Sequence, residues 1–140
     1  EPLEDNFSIE NFFYKINKSY SNIKSILLNQ KIISGLGNIY VCEALFLAKI
    51  SPKTKGYNLS LKQIKNLHNN IKIVLLKAIK EGGTSIQDHK NVSGEIGYFQ
   101  NYLSVYNREK EKCCSKDCEE YIIRFKQNGR STYYCPKCQK

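Results

Sequence analysis

The chain has 140 residues, of which 22 are lysine or arginine and 13 are acidic, so its formal net charge is +9. This length allows one small hydrophobic core with a short appendage, and no apolar run is long enough to cross a bilayer. Because four of the acids lie in the first twenty residues, the remainder is strongly basic and favours a polyanionic partner, nucleic acid ahead of an anionic membrane. The many Lys, Ile and Asn residues also suggest a compositional bias, so the charge alone is weak evidence.

Three helices are predicted in the amino-terminal part of the chain. Ser8 has the character of an N-cap ahead of apolar residues at helical spacing, and a second short helix is predicted over residues 21–29. A Gly-Leu-Gly turn at residues 35–37 then interrupts the pattern, and Asn38 is the predicted N-cap of a third helix over residues 39–48. Free backbone N–H groups at such a corner favour an anion, although many corners of this kind use glycine only for steric reasons.

A longer fourth helix is predicted to begin at the capping box formed by Ser60 and Gln63 and to end at Gly82-Gly83. Residues 84–100 lack periodicity and contain two further glycines, so they are predicted to form a loop. Two interpretations of this loop remain open, a segment that contacts a ligand or base and a plain connector.

The carboxyl end carries two cysteine pairs, Cys114-x3-Cys118 and Cys135-x2-Cys138, which is a spacing typical of a tetrahedral zinc site. The stretch between them predicts a β-hairpin whose tight turn is Asn-Gly, with Arg130 at the tip. Cys113 would also give an acceptable gap to the second ligand, and we favour Cys114. A disulfide framework is the alternative, but closely spaced pairs suit a metal better, and zinc would stabilise a hairpin that is marginal alone.

Several blocks of the chain together resemble one protein family. The segments LLNQKIISGLGNIYVCEALFLAKISP, GGTSIQD, GEIGYFQNYLSVYNREKE and GRSTYYCPKCQK resemble, in the same order, the formamidopyrimidine-DNA glycosylases. The resemblance implies a mainly α fold, in which residues 1–107 form a helix–two-turn–helix domain that includes a lesion loop at 84–100. Residues 108–140 would then form a zinc-finger β-hairpin with one zinc ion held by Cys114, Cys118, Cys135 and Cys138.

The resemblance also implies a function and a partner. It implies that the chain is the DNA-binding half of a bifunctional base-excision-repair glycosylase and AP lyase that acts on oxidised purines. Lys24, Asn38 and Arg130 would contact phosphates beside the lesion, and the loop with Gly97 and Tyr98 would close over an everted base. The expected partner is double-stranded DNA with damaged purines or abasic sites, bound by a monomer in the bacterial cytoplasm without any membrane association.

The chain departs from the family pattern in two places. The family's zinc motif opens with Cys-x2-Cys, whereas here Ser115 stands at the equivalent position and an insertion would account for the displaced first ligand. The family's chemistry rests on an amino-terminal proline amine followed by glutamate, which forms a Schiff base at the sugar. This chain begins Glu1-Pro2-Leu3, which resembles the segment that joins the catalytic domain to the helices.

The second departure implies that the catalytic half lies outside these 140 residues, that none of them is catalytic and that the chain alone is inactive as an enzyme. Two other functions remain open. One is a free-standing, zinc-dependent DNA-binding module without catalysis, from a split or truncated gene. The other, which is weaker, is a zinc-ribbon module for protein interaction.

Overall fold

The computed structural model of the chain describes residues 8–29, 37–80 and 103–140. It confirms the predicted mainly helical fold with a carboxyl-terminal hairpin. The elements in chain order are α1 (Ile9–Asn17), α2 (Ile23–Asn29), α3 (Asn38–Ala48), a 3-10 turn (Gly56–Asn58), α4 (Leu61–Lys80), β1 (Ile123–Gln127) and β2 (Arg130–Tyr134). None of the helices in these ranges is both long and apolar enough to span a membrane.

Two of the three predicted helix caps are confirmed. The Ser8 hydroxyl accepts a hydrogen bond from the Asn11 amide at 3.2 Å. Ser60 and Gln63 form the reciprocal capping box, with backbone-to-side-chain distances of 2.9 and 3.1 Å. The prediction of Asn38 as an N-cap was wrong: Gly37 is the N-cap of α3 and Asn38 is its first helical residue.

Helix α3 lies at the centre of the molecule, and its residues 40–46 are all buried. On one side it packs against α4, and on the other it meets strand β2. Most of its residues are apolar, which is expected of a helix that neighbouring elements cover on most of its faces. The side of α3 that faces the other helices contributes to a hydrophobic cluster that includes Phe12, Ile16, Ile23, Leu27, Val41, Leu45, Ile64, Leu67 and Ile71.

The other side of α3 forms a second cluster with the hairpin and the segment before it. Cys42 and Phe46 pack there against residues that include Val105, Ile122 and Tyr133. Cys42 is 1% exposed, so this thiol is a packed core residue. Because α3 contributes to both clusters, the position of the hairpin is fixed relative to the helices.

The hairpin has the predicted geometry. Strands β1 and β2 are antiparallel, Gln127 pairs with Arg130, and the two residues between them, Asn128 and Gly129, have φ angles of 52° and 81°. Positive φ at both positions is the requirement of a type I′ turn, which Asn-Gly meets at little cost. The Gln127 side chain donates to the Pro52 carbonyl at 3.0 Å and thereby ties the tip to the segment after α3.

Candidate metal centre and nucleic-acid interface

Four thiols converge at the base of the hairpin. Their sulfur atoms, from Cys113, Cys118, Cys135 and Cys138, all lie within 4.8 Å of one another. Two of the separations, Cys113 to Cys138 and Cys118 to Cys135, are 3.8 and 3.7 Å. A tetrahedral zinc ion with Zn–S bonds of about 2.3 Å requires sulfur–sulfur edges of roughly 3.8 Å. The cluster therefore fits one zinc ion with four cysteine ligands.

The structure corrects the choice of the first cysteine. Cys113 is in the cluster, whereas Cys114 is exposed. The Cys113 amide donates to the Glu120 carbonyl at 2.7 Å, and the preceding residue, Lys112, forms a bridge with Tyr121. Neighbouring side chains of such a paired, extended segment point to opposite sides, so only one of the two cysteines can face the cluster. Sequence spacing could not distinguish them, because both gaps are acceptable.

Two backbone amides donate hydrogen bonds to sulfur atoms of the cluster. The Ser115 amide donates to the Cys113 sulfur and the Cys138 amide to the Cys135 sulfur, both at 3.4 Å. Burial would raise the pKa of Cys113, but hydrogen bonds from Ser115 and the neighbouring thiols lower that pKa below its usual value. Burial raises the pKa of Cys135 to about 12. A metal that takes Cys135 as a thiolate ligand must therefore displace its proton.

The three residues predicted to contact phosphates lie together at the other end of the hairpin. Lys24 of α2 donates from its ammonium to the Ser131 carbonyl at 3.1 Å and to the Thr132 hydroxyl at 2.6 Å. The Asn38 side chain donates to the same Ser131 carbonyl at 3.0 Å. Ser131 follows Arg130, so these bonds fix the start of β2, and with it Arg130, against α2 and the beginning of α3.

The Lys24 ammonium faces the protein interior. The residue is 1% exposed, and burial lowers the pKa of its amine, an effect that the Cys42 thiol partly offsets and Arg130 reinforces. Both of its hydrogen bonds go to β2. The expectation that Lys24 touches a phosphate therefore does not match this placement, in which Lys24 holds the hairpin against α2. This burial could not be predicted from the sequence pattern, because a lysine on a short helix is usually exposed.

Asn38 lies at the helix start that was predicted to hold an anion. Its Nδ2 bonds to Ser131, while its Oδ1 is buried and has no hydrogen-bond partner among the described residues. The backbone amides of the first turn of an α-helix have no intrahelical acceptor, so they and the remaining Nδ2 hydrogen of Asn38 are donors for an anion.

Arg130 is exposed at the tip, and no described residue gives its guanidinium a hydrogen bond or an ion pair. The chain around it carries one sign of charge. Between residues 11 and 80 the one acid is Glu43, against twelve lysines, and residues 121–140 contain no acid. Since Glu43 is buried, these two parts of the chain expose no carboxylate beside Arg130, and their charge suits an anionic ligand.

Glu43 of α3 has a structural role. Its carboxylate accepts hydrogen bonds from three backbone N–H groups of the segment that precedes the hairpin, those of Ser104, Val105 and Tyr106, at 2.7, 2.9 and 3.0 Å. The carboxylate thus joins α3 to that segment by charge-assisted bonds that are partly or fully buried.

Glu43→Gln should destabilise the fold substantially. A glutamine side chain has one acceptor oxygen, and its NH2 group would face a backbone N–H that then lacks a partner. We expect a loss of roughly 3 kcal/mol in the free energy of unfolding, or a fall of roughly 10 °C in Tm. Thermal unfolding of the zinc-loaded chain, with and without the substitution, measures the fall in Tm. Glu111→Gln is the matched control, because the exposed ion pair between Glu111 and Arg108 should contribute less than about 1 kcal/mol to the free energy of unfolding. Equal Tm values for the two variants would contradict the role of Glu43.

The predicted lesion loop at 84–100, with Gly97 and Tyr98, lies outside the described residues, as do Glu1, Pro2 and Leu3. The proposed division at residue 107 stays a prediction.

Comparison with known families covers most of the chain. The model described as "Formamidopyrimidine-DNA glycosylase H2TH domain" matches residues 1–90, and the one described as "Zinc finger found in FPG and IleRS" matches residues 111–140. Formamidopyrimidine-DNA glycosylases from Rhodopseudomonas palustris (strain BisB18) and Jannaschia sp. (strain CCS1) are 46% and 44% identical over 146 and 140 residues. All of this chain is covered in both comparisons, and the chain spans about half the length of these relatives (50% of each).

Solved structures of the Lactococcus lactis formamidopyrimidine-DNA glycosylase are similar to the chain over its whole length. A complex with DNA containing an AP site matches with a TM-score of 0.84 at 41% identity, with 48% of that protein covered. A complex of a mutant with Fapy-dG-containing DNA matches with a TM-score of 0.86 at 43% identity, with 51% covered. The chain belongs to the formamidopyrimidine-DNA glycosylase family.

Proposed function

We propose that this chain is the DNA-binding half of a bifunctional base-excision-repair glycosylase and AP lyase that acts on oxidised purines. The observation that carries the proposal is the shared bonding of Lys24 and Asn38 to the Ser131 carbonyl. It holds the exposed guanidinium of Arg130 close to the amide donors at the start of α3. One phosphate strand can bind both groups, since helix-start amides and an arginine fork are each good phosphate donors.

The relatives support a lesion-containing duplex as the partner. The similar Lactococcus lactis structures are complexes with DNA that contains an abasic site or Fapy-dG. By analogy, the chain binds double-stranded DNA around a damaged purine or an abasic site, as a monomer in the bacterial cytoplasm. The loop with Gly97 and Tyr98 closes over the everted base.

The role of the described residues in this function is to bind and orient the DNA. Arg130 and the start of α3 hold the backbone, Lys24 and Asn38 fix the hairpin, and the zinc ion held by the four thiols of the cluster stabilises its base. Base removal and strand cleavage are proposed for the whole protein, and they are assigned to none of the described residues.

Binding of the chain to a duplex with a central abasic-site analogue, across a salt series, tests the proposal. The logarithm of the association constant should fall linearly with the logarithm of the salt concentration, by about 0.9 per neutralised phosphate. An intact duplex of the same sequence is the control, and it should bind less tightly with a similar slope. Lack of binding even at low salt would contradict the proposal and favour a zinc-ribbon module for protein interaction.

A further inference from the structure

A second basic surface lies next to the hairpin tip, on the side of the segment that follows α3. It is an open polar groove, here called the tip groove, between the beginning of α2, residues 51–55 and the turn of the hairpin. The side chains that matter to its chemistry are Tyr20, Asn22, Ser25, Lys53, Lys55 and Asn128. None of the described residues that line the groove is acidic.

The floor of the tip groove is ordered by hydrogen bonds that join α2 to the hairpin. Asn22 donates from its amide to the Asn128 side-chain oxygen at 2.9 Å, and the Ser25 hydroxyl donates to the same oxygen. Asn22 also accepts from the Ser25 amide at 2.8 Å, and its backbone forms a bridge with Lys55. Because Asn128 is two residues before Arg130, these bonds place the groove next to the backbone that carries Arg130.

Two cations and an aromatic pair line the groove and its edge. Lys53 and Lys55 are exposed, and neither forms an ion pair with any residue of the described ranges. The Lys53 ammonium lies 4.9 Å from the centre of the Phe125 ring on β1, a contact that orients it. Tyr20, which is 77% exposed, packs edge-on against Tyr57 with ring centroids 4.9 Å apart. Ammonium groups and tyrosine hydroxyls are common donors to phosphate oxygens.

We infer that the tip groove binds the sugar–phosphate backbone of the flank of the same duplex that Arg130 holds. The inference rests on the proposed function, and it adds a second backbone contact beyond the lesion. Charge complementarity carries it, because two lysines without an ion-pair partner among the described residues lie on a groove with no described acidic lining, next to the hairpin turn that precedes Arg130. Contacts of this kind position a protein on DNA without reading its sequence.

The test compares Lys53→Gln/Lys55→Gln with the unchanged chain on two lesion duplexes. Duplexes of about 10 and about 25 base pairs are roughly 34 and 85 Å long, so only the longer one has flanks that extend well away from a central lesion. On the long duplex the double variant should flatten the salt slope by roughly 1.8, or 0.9 for each lost ionic contact. On the short duplex the slope should not change.

Lys65→Gln/Lys72→Gln is the matched control, since it removes two exposed charges from α4 and should leave both slopes unchanged. An unchanged slope for the groove variant on the long duplex would overturn the inference. An equal change of the salt slope on both duplexes would also overturn the inference. The lysines would then act near the lesion or through the overall electrostatic field of the protein. Arg130→Ala, measured in parallel, separates these results from a failure of the proposed function, which would leave that variant's binding unchanged.

Discussion

Cys135→Ser should leave the chain unable to hold zinc and should unfold the base of the hairpin. Cys135 is fully buried at the end of β2, and its sulfur lies 3.7 Å from that of Cys118. A serine oxygen is a poor substitute for a thiolate ligand of zinc. Zinc contributes about 10–16 kcal/mol to the folding of small zinc fingers, far more than a two-stranded hairpin has of its own. The base of the hairpin should therefore unfold.

The zinc content of purified single Cys→Ser variants measures the effect. The unchanged chain should hold one zinc ion, and Cys113→Ser and Cys135→Ser should hold little or none. Cys114→Ser is the matched control, because it makes the same change at the adjacent, exposed position and should keep full occupancy. The reverse outcome for the two neighbours would restore Cys114 as the first ligand. Full occupancy in Cys135→Ser would show that the cluster is not the metal site.

Loss of zinc should also be visible in DNA binding. With its base unfolded, the hairpin no longer presents Arg130 beside α3, so Cys135→Ser should lower the affinity for damaged and intact duplexes alike. Chelation of zinc from the unchanged chain should produce the same loss. A metal-free chain that bound DNA with unchanged affinity and salt slope would limit the hairpin to a structural role.

The parts of the fold that were predicted correctly depend on short-range signals. The Asn128-Gly129 turn, the Ser8 cap and the capping box of Ser60 and Gln63 are each determined by residues within a few positions of one another. The two cysteine pairs are a signal of the same kind, since ligands a few residues apart can meet at one ion without knowledge of the rest of the fold. Local physical rules are sufficient for such features.

The features that were missed depend on contacts between distant parts of the chain. Lys24 is buried because β2, more than a hundred residues away, offers it a carbonyl and a hydroxyl. Asn38 gives up the capping role to Gly37 because its side chain bonds to the same strand, 93 residues away. The choice between Cys113 and Cys114 depends on which of them faces the cluster once the segment pairs with Glu120. Sequence spacing carries none of this information.

Arg130→Ala should weaken binding to damaged and intact duplexes by a similar factor. A hydrogen-bonded ionic contact is worth about 1.5–3 kcal/mol, which corresponds to a loss of roughly 10- to 150-fold in affinity. The salt slope should flatten by roughly 0.9, because one phosphate is no longer neutralised. Arg130→Lys should keep the slope but recover only part of the affinity, since an ammonium cannot hold a phosphate with two parallel bonds.

Lys24→Met separates the two roles considered for Lys24. Methionine has a similar length but no charge, so the variant removes the ammonium bonds to Ser131 and Thr132 while it preserves most of the packing. If Lys24 only holds the hairpin, the affinity should fall and the salt slope should stay the same, as it should for Asn38→Ala. If the ammonium reaches a phosphate in the complex, the slope should flatten by roughly 0.9, as for Arg130→Ala.

The affinity and the salt slope together therefore distinguish two kinds of residue. Loss of a residue that makes an ionic contact with DNA changes both quantities, whereas loss of a residue that only positions such a residue changes the affinity alone. Lys65→Gln on α4 provides the baseline for removal of one exposed charge. If Arg130→Ala matches this baseline in affinity and in salt slope, the DNA must lie elsewhere. The exposed guanidinium at the hairpin tip is the basis for the proposed interface. If Lys24→Met alone flattens the salt slope, α2 must move away from β2 on binding, since Lys24 is only 1% exposed in the structure.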